Sequence, residues 1–367
     1  MERKCFSAFI SFLLIVSSLC LSLSGQDAAD KARPQDADQK SSPKAKKTRF
    51  ASIPVLNYNE ATGLGLGALV GLFYPVSQKD DVSPPSSTMV FGFYAKNKTN
   101  AYGFAQKFYL KKDTYRLTMA LVWASVNFQF YNENIAGGFI DYNTGARFAL
   151  LQAERRVAGS FFVGLKYRYN RSQTTFDIPV EYDPPEVTYS GLGPVLSFDS
   201  RDNVFSPRRG QLIKLEALIN HDVLGSARDY TILETAANAY IPLPKNSVLA
   251  ARIHAKAGLE DVPFEDQAIM VGTDLRGYSS GKYRGEQKYT FQAEYRRPLF
   301  KRFGAVAFGG FGWVADEISR IRLADILPSI GVGVRYLMIP AFGINVGIDF
   351  AVGKDDTAFY FRIGEAF

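Results

Sequence analysis

The stretch DVPFEDQAIMVGTDLRGYSSGKYRGEQKYTFQAEYRRPLF, Asp261–Phe300, has two parts of opposite character. From Gln287 onward the residues alternate. Lys288, Thr290, Gln292, Glu294 and Arg296 fall on one side, and Tyr289, Phe291, Ala293 and Tyr295 on the other. A period of two with one polar and one apolar face is the pattern of a strand lying between a polar interior and an apolar medium. The 26 residues before it, 261–286, form a loop. A loop that long in a compact protein is either functional or disordered. Its centre, Leu275-Arg276-Gly277-Tyr278, carries guanidinium, glycine and aromatic groups where a spacer would carry Ser and Pro. Such a loop has contacts to make.

The same alternation recurs along the chain. In Ser247–Glu260, Leu249, Ala251, Ile253, Ala255, Ala257 and Leu259 lie opposite Arg252, His254, Lys256 and Glu260. Gln211–Asn220 sets Ile213, Leu215, Ala217 and Ile219 opposite Lys214, Glu216 and Asn220, and Phe161–Ser172 repeats the scheme. Fifteen such segments run from residue 61 to residue 366, among them 114–128, 143–156, 159–172 and 357–366, separated by Gly, Pro, Asn and Asp clusters. Beyond residue 24 no window holds eighteen consecutive apolar residues, so no helix is expected to cross a membrane. Strands that cross must close into a barrel, because an open edge leaves backbone groups unbonded in lipid. Bacterial single-chain barrels have even strand numbers, and the weakly alternating Phe50–Asn57 is the candidate for the missing strand. The expected fold is all-β: a transmembrane antiparallel β-barrel over residues 50–367, of sixteen strands once Phe50–Asn57 is counted.

Three motifs in order carry a resemblance. They are Arg276-Gly277-Tyr278, then Asp199-Ser200-Arg201-Asp202-Asn203 followed by Phe205, Pro207, Arg209 and Gly210, and a last strand ending on Phe367. Over roughly residues 197–367 the chain resembles the bacterial surface antigen superfamily of outer-membrane barrels. This family comprises the barrel-assembly insertases and the two-partner-secretion transporters. The resemblance implies that the loop tip (Arg276, Gly277, Tyr278) enters the lumen and that Arg276 meets Glu294 on the following strand. A second family acid falls at position 310, which is glycine here, so Arg276 is expected to have one carboxylate. Asp199, Arg201, Asp202 and Asn203 read as a tight turn whose side chains bond their own backbone and one another. Phe359, Phe361, Ile363 and Phe367 read as one alternating face, interrupted at Glu365, and as a targeting signal for the barrel assembly machinery.

The N-terminal end departs from the family. Arg3 and Lys4, an apolar run to Leu23 and Ser22-Leu23-Ser24 form the pattern of a signal peptide over residues 1–24; a retained anchor is the alternative. Both cysteines, Cys5 and Cys20, lie inside it, which excludes a disulfide framework or a cysteine-based metal site from the rest. Residues 25–49 are polar, lack aromatics and are too short for one of the family's periplasmic polypeptide-binding (POTRA) domains; they read as a disordered periplasmic tail. Of the net charge of +7, residues 1–26 carry +1 and residues 27–49 carry +3. The remaining +3 shows no clustered basic patch, so no nucleic acid is expected as partner.

No serine elbow or paired metal motif is present, and Gly63-Leu64-Gly65-Leu66-Gly67 is not followed by the Lys of a phosphate loop. No catalytic residue, cofactor or metal is expected, and the chain does not read as an enzyme. The expected location is the bacterial outer membrane, with tail and C-terminus periplasmic. The expected function is outer-membrane protein or lipid assembly or transport. Its partners would be outer-membrane lipids, with unfolded barrel clients or a periplasmic partner. A plugged or gated pore for small solutes, or a structural barrel anchoring a partner, is the alternative.

Overall fold

The structure, a computed structural model, describes residues 48–59, 63–132, 138–177, 184–270, 272, 274–278, 283–354 and 356–367. The expected signal peptide and all but the last two residues of the tail lie outside the described residues. Among the described residues eighteen strands follow one another. The first nine are β1 (Arg49–Asn59), β2 (Gly63–Tyr74), β3 (Ser86–Ala95), β4 (Asn100–Leu110), β5 (Tyr115–Asn132), β6 (Gly138–Ala158), β7 (Phe161–Phe176), β8 (Val187–Asp199) and β9 (Gly210–Asn220). Then come β10 (Tyr230–Leu243), β11 (Ser247–Leu259), the two-residue β12 (Ala268–Ile269) and β13 (Arg284–Gly285), and β14 (Gln287–Phe300). The chain finishes with β15 (Phe303–Ala315), β16 (Leu327–Ile339), β17 (Ile344–Gly353) and β18 (Asp356–Ile363).

Sixteen of these form one antiparallel sheet in chain order, and β12 and β13 pair separately inside the β11–β14 loop. The weakly patterned first segment is a full strand, laddered to β2 from Arg49↔Phe73 to Asn59↔Gly63. Among the described residues no ladder joins β1 to β18, although the two approach each other. The sheet is nonetheless curled on itself, because side chains from distant strands meet inside it: Arg116 of β5 bonds Asp199 of β8 at 3.0 Å, and Phe73 of β2 meets Phe205 edge-on at 5.6 Å.

Several strands run longer than the alternation suggests. The β5–β6 ladder continues past Asn127↔Asn143 to Asn132↔Gly138, where Asn and Gly residues look like turn residues in the sequence. Backbone pairing, which any residue supplies, carries the hairpin beyond the apolar pattern. The last strand, by contrast, stops at Ile363, three residues short of the expected 366.

The expected polar interior is present only on part of the wall. From β7 onward, inward residues include Lys166, Arg168, Lys214, Glu216, His254, Lys288 and Glu294. On β2–β5 most of the inner face is apolar as well as the outer one, with Lys107, Arg116 and Thr118 turned inward near the β4–β5 turn. Phe73, Met89, Phe91 and Val122 are buried, while their outward neighbours Leu72, Val90 and Leu121 are exposed. Val204, Phe205, Phe342 and Ile344 join this inner cluster. The reason is packing: each buried ring removes apolar area worth ~2–3 kcal/mol from water, and glycines on adjacent strands let the rings lie flat. A Cβ on Gly65 would sit 2.3 Å from the Phe93 ring, and one on Gly103 would sit 2.6 Å from Phe91. Part of this lumen is a hydrophobic core.

The lumen loop and its charge lattice as candidate functional site

The β11–β14 loop enters the lumen at once. Glu260 takes a left-handed φ of 69°, and Val262 packs against Tyr189, Leu218, Tyr230 and Ile232 on the wall. Asp266 accepts from the Tyr230 hydroxyl at 2.7 Å and from both terminal nitrogens of Arg168, and Lys256 donates to its carbonyl at 2.8 Å. After the β12 segment, Met270, Leu275 and Tyr278 form a buried cluster with Leu327 of β16.

The tip residues are placed by three different means. Gly277 has φ +99°, and a Cβ there would lie 2.8 Å from Gly353 N and Val352 C, so a side chain meets both a steric and a conformational barrier. Its N–H donates to the Tyr360 hydroxyl at 3.0 Å. The Tyr278 hydroxyl donates to the Pro328 carbonyl at 2.6 Å and accepts from Lys354 N at 3.0 Å. These contacts dock the tip onto β16, β17 and β18.

Arg276 is fully buried. Its Nε donates to Gln292 Oε1 at 2.7 Å, and its Nη1 donates to Asp349 Oδ2 at 2.8 Å and lies 2.5 Å from Glu294 Oε2. The guanidinium lies over the Phe308 ring, 3.3 Å from its centroid. The expectation of one carboxylate is corrected: Asp349 of β17 is the second. Position 310 lies beside Gln292, where a Cβ would be 3.0 Å from Leu275 of the docked loop, so glycine there leaves room for the loop. The acid comes from a strand 73 residues away in sequence, which alternation alone does not connect to the loop.

Both carboxylates are shared. Arg296 Nε donates to Glu294 Oε1 at 2.6 Å; Arg335 Nη1 donates to Asp349 Oδ1 at 2.5 Å, and Arg362 Nε donates to Asp349 Oδ2 at 2.7 Å. Four arginines and two carboxylates thus tie the loop to β14, β16, β17 and β18. A planar guanidinium suits this use, since it donates in several directions at once and stays charged when buried.

The loop's other charges are held by complementary walls. Asp274 pairs with Lys288, whose ammonium also donates to the Ile269 carbonyl at 3.0 Å. Arg252 and His254 approach the same carboxylate at 3.7 and 3.4 Å. Sequence reasoning put Arg252, Lys256 and Lys288 on the polar face, with Phe161–Ser172 and its Arg168 following the same scheme, but missed Asp266 and Asp274 as their partners. The signal was available as acids in the loop opposite inward cations.

The Asp199–Asn203 motif forms the turn between β8 and β9. Asp199 accepts from Arg201 Nε at 2.9 Å and from Arg116 at 3.0 Å. Asp202 accepts from Arg208 N, and Asn203 from Phe205 N and Ser206 N. Asn203 also donates to the Phe342 carbonyl at 3.3 Å, which ties this turn to the β16–β17 turn.

At the C-terminal end, Phe359 is 68% exposed on the outer face, and Phe361 and Ile363 are partly covered. Phe367 does not share their face, which corrects the sequence expectation. Gly364, with φ +79°, turns the chain inward, and Phe367 is buried against Tyr240, Val248 and Ala250. Arg296 donates to its carbonyl at 2.7 Å. Glu365 accepts from Arg335 at 2.9 Å and Asn345 at 2.6 Å, so it anchors the end of the chain rather than interrupting an apolar face.

A single antiparallel sheet curled around a charge-latched loop has the architecture of a transmembrane β-barrel. The chain belongs to the Omp85 superfamily, whose domain matches residues 73–367. Among solved structures it is similar to BamA from Haemophilus ducreyi lacking POTRA domains 1–3, at 13% identity and a TM-score of 0.55, over 87% of this chain and 69% of that one. It is also similar to CdiB from Acinetobacter baumannii (14% identity, TM-score 0.59, 86% of this chain and 59% of that one). CdiB from Escherichia coli gives 10% identity and a TM-score of 0.59 over 86% of this chain. The chain spans about six-tenths of the length of each CdiB chain. No curated protein matches it by sequence.

Proposed function

We propose that this chain is a non-enzymatic barrel that helps polypeptides or lipids enter or cross the outer membrane, and that the 260–286 loop holds it closed at rest. In this proposal both ends of the barrel chain, Arg49 and Phe367, face the periplasm. Clients, or a periplasmic partner that delivers them, meet it there. One observation carries the reading. The Arg276 lattice fastens the loop to β17 and β18, on the side of the barrel where no ladder to β1 was found among the described residues. An edge without its ladder is a site where strands can part or pair with another chain, and the loop is poised to control it.

The alternative, a passive solute pore, is supported by the charged inner faces of β7–β18. Against it stands the apolar inner wall of β2–β5, which water wets poorly. Folding of an unfolded barrel client into liposomes carrying this protein, timed against liposomes carrying an unrelated barrel of similar size, tests the proposal. Faster folding is expected. Unchanged folding together with steady single-channel conductance would replace it with the pore.

A further inference from the structure

The two ends of the barrel differ in charge. Turns at the end bearing Arg49 and Phe367 join β2–β3, β4–β5, β6–β7, β8–β9, β10–β11, β14–β15 and β16–β17. They present eight exposed Lys or Arg residues and one exposed carboxylate, Asp81. In the described turns at the opposite end, six exposed Lys or Arg face ten exposed carboxylates. The acids of the basic end are largely withdrawn: Asp113 is buried beneath Arg116 and Arg156, and Asp199 beneath Arg116 and Arg201.

The backbone gives a second, independent observation. Lys111 (φ 54°), Lys112 (φ 56°), Lys245 (φ 58°) and Lys301 (φ 49°) all occupy the left-handed region. Gly and Asn suit that region best, and a long L side chain there is uncommon. One further lysine, Lys98 (φ 69°), does so at the other end. Four lysines in three turns at one end therefore carry cationic side chains in a conformation that favours other residues.

The cations also sit beside outward aromatic groups. Tyr115, Phe161, Phe300 and Phe303 are exposed at the adjoining strand ends. The Lys111 ammonium lies 5.5 Å from the Tyr115 ring centroid, and Arg155 lies 5.9 Å from it. Exposed aromatic residues at strand ends mark the membrane–water boundary of a barrel, so the lysines project at headgroup depth.

We propose that this collar docks anionic glycerophospholipid headgroups, whose phosphates the turn lysines bind. The inference rests on the outer-membrane reading and adds to it a lipid preference confined to one end. Charge complementarity near an anionic surface is screened within a Debye length, ~10 Å at 0.1 M salt, and the lysines sit within that reach.

Asparagine removes each charge while suiting the left-handed backbone, so the fourfold variant K111N, K112N, K245N, K301N is expected to fold. In phosphatidylcholine liposomes holding the full chain, spin-labelled phosphatidylglycerol and spin-labelled phosphatidylcholine report how strongly each lipid associates. An approximately five-fold preference for phosphatidylglycerol is expected, the scale of one cation at an anionic surface, falling towards parity in about 1 M salt. The fourfold variant is expected to lose the preference, and K96N, K98N at the opposite end to keep it. Equal association of the two lipids with the unaltered protein, or a preference retained by the fourfold variant, would overturn the proposal. So would loss of binding to an acidic polypeptide in that variant with lipid preference unchanged. Absence of any motionally restricted lipid, of either kind, would instead refute the membrane reading itself.

Discussion

Replacing Asp349 by alanine removes one of the two carboxylates that hold the loop arginine. Arg276, Asp349 and Glu294 are all fully buried, and Asp349 also accepts from Arg335 and Arg362. Taking one member from a buried ion pair costs ~3–5 kcal/mol because the partner charge is left uncompensated. Glu294 stays 2.5 Å from Arg276, so the low end, about 3 kcal/mol, is the appropriate figure. Only part of that acts on loop docking if Arg335 and Arg362 find other partners, but Arg276 has no further carboxylate within ion-pair distance among the described residues. At about 1.4 kcal/mol per factor of ten, the undocked population should rise about a hundred-fold. The assay uses a Leu275→Cys probe in a Cys5→Ser, Cys20→Ser background. Leu275 is fully buried in the docked loop, so maleimide labelling reports undocking. The expected result is labelling faster by about two orders of magnitude in Asp349→Ala, with no change in an Asp81→Asn control. Equal rates in the native protein and Asp349→Ala would refute the lattice as the latch.

Other perturbations test neighbouring parts of the account. Gly277→Ala places a Cβ 2.8 Å from backbone atoms of Val352 and Gly353 at a φ of +99°, so the same probe should label faster, by at least the ~10-fold that ~1–3 kcal/mol of backbone strain implies. Ile253→Arg on the exposed outer face should cost ~2–4 kcal/mol at mid-membrane depth, whereas Arg252→Ala on the inner face should be mild; unfolding in urea from lipid vesicles measures both. Phe73→Ala removes a ring from the apolar inner wall and should cost ~3–5 kcal/mol in the same assay. A water-filled lumen at that position would make the change nearly neutral.

Much of the barrel was legible in the sequence because a strand's period of two is local. β11 shows Leu249, Ile253 and Leu259 outward with Val248, Ala250 and His254 inward, and neighbouring residues alone reveal that alternation. The apolar inner wall was not legible. Phe91 and Val90 are both apolar, and nothing in the sequence distinguishes a ring facing lipid from one packed over Gly103 inside. The loop tip announced itself through Arg276, Gly277 and Tyr278, and Glu294 followed from the resemblance those residues carry, together with the next strand's phase. Asp349 and the inward Phe367 did not, because both depend on which strands close the far side of the barrel. Gly364 held a hint, since a glycine three residues before Phe367 permits a turn, but a turn's direction is set by what Tyr240 and Arg296 offer across the lumen.

Hydrogen exchange of the protein in lipid nanodiscs, read by mass spectrometry, tests most directly the claim of a docked loop beside an unladdered edge. The account predicts slow exchange for residues 274–278, whose Gly277 N–H is bonded to Tyr360. Exchange in β1 and β18 should be faster than in the β5–β6 ladder. A loop that exchanges as quickly as the exposed β9–β10 turn, with β1 and β18 as protected as β5 and β6, would contradict it.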